Sequence, residues 1–132
     1  MSERASPFRS WNGVEPFEFV EGVRLHAIGG EQVLLCRVTY EPGKRVPPHR
    51  HEHTEQVMAV VDGSLEMAIE GEWRTLWTGD VVVVNRGLEH ELYSELGVTF
   101  FEALSPVPRD HVPDSERDLV LGAEGGKLHV DR

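Results

Sequence analysis

Three histidines and one glutamine are the residues of this chain whose types and spacing could bind a metal. His49 and His51 are separated by one residue, Gln56 follows after four more, and His90 lies far downstream. If the first segment is extended, both imidazoles leave the same face, about 6.6 to 7 Å apart at the backbone, and can converge on one ion. These four uncharged donors indicate a candidate pocket for one divalent metal, although an isolated His-X-His pair also occurs by chance.

The length and the cysteine content limit the classes of protein to which the chain can belong. The chain has 132 residues, which suits one domain with a single core. It contains no run of about eighteen apolar residues and no apolar segment behind Met1 to Ser10, so we expect neither a membrane span nor a signal peptide, and a cytoplasmic location is the default. Cys36 is the sole cysteine and lies in an apolar run, which predicts a buried, inert thiol and excludes an internal disulfide.

The charge of the chain argues against polyanionic partners. The formal net charge is -10 and the pI is near 5.1. Proteins that bind nucleic acid or anionic lipid normally carry a basic patch, and none is visible in the sequence. We therefore expect no nucleic acid and no membrane as partners. The net charge does not exclude a small anionic substrate, because a bound metal would dominate the electrostatic field of its pocket.

Short β signals recur along the chain and helical signals do not. Runs rich in Val, Leu, Phe and Tyr alternate with glycine-containing turns, and Asp62-Gly63 is a typical hairpin signal. This pattern predicts an all-β protein with a closed or double-sheet architecture. We divide the chain into an irregular N-terminal extension (1–13), a β-barrel domain (14–104) and an irregular C-terminal extension and tail (105–132).

The three histidines lie in two blocks of sequence that begin with glycine. The first runs from Gly43 through His49, His51 and Gln56 to Gly63, and the second runs from Gly79 to His90. These blocks resemble the two motifs of the cupin superfamily, a small jelly-roll β-barrel, over about residues 31 to 104. The resemblance implies a cupin-type fold and a site in which His49, His51, Gln56 and His90 bind one divalent transition metal, with zinc, nickel, iron or manganese as candidates.

The third ligand has two competitors. Glu55 is a carboxylate beside Gln56, and carboxylates outrank amides for hard divalent ions. Adjacent residues of a strand point to opposite faces, and the spacing to Gly63 favours Gln56 as the inward residue. His53 is the other alternative, as a ligand or as a loop histidine.

One subgroup of cupins is more similar than the rest. The chain resembles the small pectin-degradation cupins, which linearise 4,5-unsaturated uronates, although Leu104 stands where these proteins have an aromatic residue. The resemblance implies that Glu102 acts as general acid or base and that Arg109 binds the substrate carboxylate. The alternatives are an iron-dependent dioxygenase and a non-catalytic cupin that binds a small ligand. Because one small barrel leaves sheet edges to cover, we also expect a homodimer in which the amino-terminal strands pair or swap.

Overall fold

The chain folds almost entirely into β-strands. A computed structural model describes residues 6–106 and the backbone of two further short strands, and within these residues no helix is long and apolar enough to cross a bilayer. In chain order the strands are β1 (Phe17–Val20), β2 (Val23–Gly29), β3 (Leu34–Tyr40), β4 (Lys44–His49), β5 (Glu55–Ile69), β6 (Glu72–Trp77), β7 (Val81–Val84), β8 (His90–Ser94), β9 (Val98–Ser105), β10 (Leu119–Val120) and β11 (Leu128–His129).

Two antiparallel sheets form the two walls of the barrel and share the long strand β5. The first wall has the order β1-β2-β3-β9-β5-β7, and the second has the order β6-β5-β8-β4. β2, β3, β8 and β9 turn alternate side chains toward the space between the walls. In β9, for example, Val98, Phe100, Glu102 and Leu104 are buried. The all-β barrel that the sequence predicts is confirmed.

The hairpin predicted at Asp62-Gly63 is wrong, because β5 continues through these two residues. The first half of β5 pairs with β9 and β7, the second half pairs with β6 and β8, and the register shifts between Val60 and Asp62. Gly63 has a φ of 81°, and a Cβ on it would lie 2.3 Å from the carbonyl oxygen of Gly97. This glycine therefore permits a bulge and a close backbone approach where β5 passes from one wall to the other, and it does not close a turn.

β4 contains the proline pair Pro47-Pro48, which argues against a strand when only the sequence is considered. Within the described residues it pairs only with β8 and ends the strand order of its wall, and its register shifts between Val46 and His49. Proline is tolerated at such an edge because no neighbouring strand needs its missing N–H. This irregular edge strand matters for the candidate site because it carries His49.

The core lies between the walls and is almost wholly aliphatic. Phe100 is its largest fully buried side chain, and its ring lies 5.7 Å from that of Tyr40. Cys36 is 1% exposed, so the predicted burial of its thiol is confirmed, and burial followed by the charge of Glu102 raises its pKa well above the ordinary value.

Parts of residues 105–132 form strands. Ser105 still belongs to β9, and β10 pairs antiparallel with β11, so that Leu119 lies opposite His129. β11 lies against β1 and β2 at one edge of the first wall. The other residues after Pro106 lie outside the described part of the chain.

Candidate metal centre

His49 and His90 meet because their strands are paired. They are opposite each other in the ladder between β4 and β8, and their ring centroids are 4.2 Å apart. The Nδ1 atom of His49 lies 2.9 Å from the carbonyl oxygen of Pro47, and that of His90 lies 3.0 Å from the carbonyl oxygen of Leu88. Since a carbonyl can only accept, both Nδ1 atoms must carry the hydrogen, which leaves each Nε2 with a lone pair for a metal.

His51 completes a cluster of three imidazoles. It follows the end of β4, where the N–H of Gly87 donates to its carbonyl oxygen over 2.8 Å. Its ring centroid lies 5.3 Å from that of His49 and 5.4 Å from that of His90. One candidate ligand atom from each of the three residues lies within 4.8 Å of the other two, so the three histidines could hold one ion.

Burial keeps the imidazole of His90 neutral, which is the form that binds a metal. Burial, followed by the nearby His49, lowers the pKa of His90 from 6.5 to about 4, and its hydrogen bond to the carbonyl of Leu88 opposes this only partly. The ring is therefore neutral at neutral pH. Its Nε2 atom is buried and has no hydrogen-bond partner within the described residues, which is the environment of a ligand atom rather than of a satisfied core histidine.

Among the candidates for a fourth donor, the structure turns Gln56 inward and the others outward. Gln56 is 3% exposed, whereas Glu55 and His53 are exposed at the surface. The amide nitrogen of Gln56 donates to Oε2 of Glu102 over 2.5 Å, so the amide is oriented and its Oε1 remains available. That oxygen is buried and has no hydrogen-bond partner among the described residues. The role of Gln56 as a ligand stays a prediction, but the orientation it requires is present.

Glu102 lines the same pocket as His49, His51 and Gln56. It is 6% exposed and stands opposite Met58 on β5, two residues from Gln56 along that strand. Burial raises the pKa of its carboxyl from 4.5 to about 7, and the hydrogen bond from Gln56 opposes this rise. A carboxyl with such a pKa can both give and accept a proton near neutral pH.

Apolar side chains form most of the lining of the pocket. His49, His51, Gln56 and Glu102 contribute to the lining, and the other lining residues come from β1, β2, β3, β4 and β8: Phe19, Val23, Leu25, Val38, Tyr40, Val46 and Leu92. The sequence prediction missed this lining. The alternation of side chains along β3 could have indicated it, because Cys36, Val38 and Tyr40 share the inward face of that strand.

Arg109, the other predicted catalytic residue, lies outside the described residues. The last described residue before it in the chain is Pro106, whose carbonyl oxygen accepts a hydrogen bond of 2.8 Å from the hydroxyl of Thr54. Thr54 is 2% exposed and precedes β5 directly. This bond fixes the end of β9 next to the start of the strand that carries Gln56.

Comparisons with known proteins agree with this architecture. Residues 36–96 match the family model described as a Cupin domain. The chain is 30% identical over 95 residues to the pectin degradation protein KdgF of Dickeya dadantii, which covers 70% of this chain and 86% of that protein.

Two solved structures share the fold. One is an RmlC-like cupin from Shewanella frigidimarina, with a TM-score of 0.74 at 20% identity, covering 82% of this chain and 97% of the other. The second is KdgF from a Halomonas species, with a TM-score of 0.68 at 24% identity, covering 73% of this chain and 91% of the other.

Proposed function

The chain belongs to the cupin superfamily, and from this premise we propose that it is a metal-dependent isomerase of small anionic molecules, with a 4,5-unsaturated uronate as its candidate substrate. The proposal takes its substrate class from the likeness to the pectin degradation protein. It takes its chemistry from the pocket, where three histidines, an amide and a buried carboxyl lie together.

His49, His51, Gln56 and His90 would hold the metal. The residues fit such an ion because two of their buried acceptor atoms, Oε1 of Gln56 and Nε2 of His90, have no hydrogen-bond partner within the described residues. A divalent ion bound there would supply positive charge that polarises the oxygens of the substrate. Neutral imidazoles and an amide leave that charge uncompensated, whereas a glutamate in place of Gln56 would cancel half of it.

The observation that carries the proposal is the position of Glu102. Its carboxyl is buried, faces the pocket of the histidines and is held by the amide of Gln56. Linearisation of an unsaturated uronate removes the proton of the anomeric hydroxyl, breaks the bond between C1 and the ring oxygen and adds a proton at C4. No atom is lost, so one carboxyl that first accepts and then returns a proton is sufficient, and we assign this role to Glu102.

Arg109 would bind the carboxylate of the substrate. Its guanidinium presents a planar fork that matches a carboxylate with two parallel hydrogen bonds. Arg109 follows Pro106 by three residues in the sequence, and Pro106 is bonded to Thr54 beside the strand of Gln56. The support for this role is that the chain just before Arg109 is bonded beside the strand that carries Gln56.

The test is turnover of an unsaturated galacturonate, followed by the loss of its ring enol-acid absorbance. We expect the protein with its metal to accelerate the spontaneous reaction, and His51→Ala to lose that acceleration. Glu102→Gln should reduce the rate by about 10²- to 10⁴-fold while the metal stays bound. Glu55→Gln, which changes the exposed neighbour of Gln56, is the matched control and should be fully active. No metal-dependent acceleration in the wild-type protein would end the uronate proposal.

The apolar lining of the pocket favours one alternative, a cupin that binds a small ligand without converting it. Such a protein would be stabilised against unfolding by its ligand. His51→Ala and Glu102→Gln would then leave every turnover assay unchanged. The iron-dependent dioxygenase is less well supported because the side chain facing the histidines from β5 is an amide, and oxygen uptake by the iron-loaded protein would detect it.

A further inference from the structure

A second cleft lies between the two walls, on the side where β6 ends one wall and β7 ends the other. Its volume is about 150 Å³. The lining comes from β5, β6 and β7, through Met67, Ile69, Glu72, Arg74, Leu76 and Val82. None of these residues lines the pocket of the histidines. We call this space the edge cleft.

Strand pairing explains why the edge cleft exists. In the ladder between β5 and β6, Met67 lies opposite Arg74 and Ile69 lies opposite Glu72, so these side chains point to the same side. Val82 belongs to β7 of the first wall and lines the cleft from there. Among the described residues neither β6 nor β7 pairs with a second strand, so no further strand fills the gap between them.

From this geometry we propose that the edge cleft binds a small neutral aromatic molecule that carries one hydroxyl group, with phenol as the simplest example. The volume sets the size of the ligand, because an apolar cavity of about 150 Å³ holds one benzene-sized ring. The proposal is independent of the proposed function, since it uses none of the residues assigned to the metal or to proton transfer.

The interior of the edge cleft favours an aromatic ring over a sugar. Met67 is 2% exposed, Leu76 is 9% exposed, and Ile69 and Val82 are half-buried. These apolar side chains offer no hydrogen bonds to the hydroxyl groups that a sugar would bury there. The thioether of Met67 can instead make a favourable contact with the edge of an aromatic ring. The body of the ligand should therefore be apolar and aromatic.

The charged residues of the edge cleft favour a neutral polar group on that ring. Nε of Arg74 lies 3.3 Å from Oε2 of Glu72, and both side chains are 72% exposed. Because these two charges oppose each other, they give no net attraction to an ionised group, and the net charge of -10 disfavours an anion further. A hydroxyl can donate to the carboxylate and accept from the guanidinium, so it suits both partners.

The test is a titration of the full chain with phenol, followed by the backbone amide signals in NMR. We expect a dissociation constant of about 1 mM or lower, with shifts at Leu76 and Val82. Val82→Phe fills the cleft and should weaken binding at least about tenfold. Val83→Phe is the matched control, because the next residue of β7 is 53% exposed and does not line the cleft, and it should bind phenol as the wild type does.

The same spectra distinguish the edge cleft from the neighbouring metal centre. Ile69 lies opposite His90 in the ladder between β5 and β8, so the two sites are close. Phenol should bind equally well to protein with and without metal. No amide shift at about 10 mM phenol, or shifts confined to the lining of the histidine pocket, would overturn the proposal. Equal weakening by Val82→Phe and Val83→Phe would also overturn it.

A second variant tests the polar group and does not depend on the folding of Val82→Phe. Replacing Glu72 and Arg74 together by leucine changes only exposed side chains. The affinity for phenol relative to toluene, which has the same shape but no hydroxyl, should fall at least about threefold. Benzoate should bind the wild type at least about tenfold more weakly than phenol. An unchanged ratio of phenol to toluene, or benzoate that binds as tightly as phenol, would contradict the assignment of a neutral hydroxyl.

Discussion

Replacing Glu102 by glutamine should make the stability of the metal-free protein less dependent on pH. A pKa raised from 4.5 to about 7 means that the folded protein binds a proton more tightly than the unfolded chain. The stability that this contributes is fully present below pH 4.5 and is lost as the pH rises through about 7. At about 1.4 kcal/mol for each tenfold change in the constant, the loss is about 3 kcal/mol. Glutamine keeps the hydrogen bond to Gln56 and carries no charge, so it avoids this loss.

The assay is denaturant unfolding of the metal-free protein, followed by tryptophan fluorescence, at about pH 4.5, 6 and 8. The free energy of unfolding of Glu102→Gln, minus that of the wild type, should grow by about 3 kcal/mol from the lowest to the highest pH. His90 has a lowered pKa and acts in the opposite direction, since its contribution is lost as the pH falls from 6.5 toward 4, but it is common to both proteins and cancels. Glu55→Gln should show no such growth. A difference that does not vary with pH would refute the burial of the carboxyl.

Three further predictions concern Gly63, Cys36 and Gln56. Gly63→Ala should lower the free energy of unfolding by about 3 kcal/mol, because alanine would have to adopt a left-handed φ and its Cβ would meet the carbonyl of Gly97. Gly71→Ala is the control in the same denaturation assay: its φ is also left-handed, at 82°, but the space around its Cβ is open, so it should cost about 1 kcal/mol. Cys36 should not react with a thiol reagent in the folded protein and should react fully in denaturant, and rapid labelling of native protein would contradict its burial. Gln56→Glu should retain the metal, measured by elemental analysis, but lose at least about tenfold in turnover because it reduces the net charge of the site, and unchanged turnover would contradict that role of the amide.

The sequence brings His49 and His51 together because their geometry is local: they are two residues apart. His90 comes opposite His49 only through the pairing of β4 with β8, so its place in the cluster was predicted from the cupin resemblance. The inward orientation of Gln56 follows from the same alternation of side chains that leaves Glu55 outside.

Other features depend on long-range pairing that the sequence does not display. Phe100 to Leu104 is apolar on both faces, so a period of two could not decide whether Glu102 points inward, and burial by the opposite wall decides it. The signal Asp62-Gly63 is equally compatible with a hairpin and a bulge, and the close approach of Gly97 selects the bulge. Pro47-Pro48 argues against a strand unless that strand lies at an edge, which only the topology reveals.

The central claim is that His49, His51 and His90 bind one metal ion, and elemental analysis of protein purified without an affinity tag tests it most directly. We predict about one first-row transition metal per chain in the wild type and almost none in His51→Ala. His53→Ala, which removes an exposed histidine close by in the sequence, should keep the wild-type content. A wild-type protein that contains no metal even after incubation with zinc, nickel, iron or manganese, or equal metal contents in the two variants, would contradict the claim.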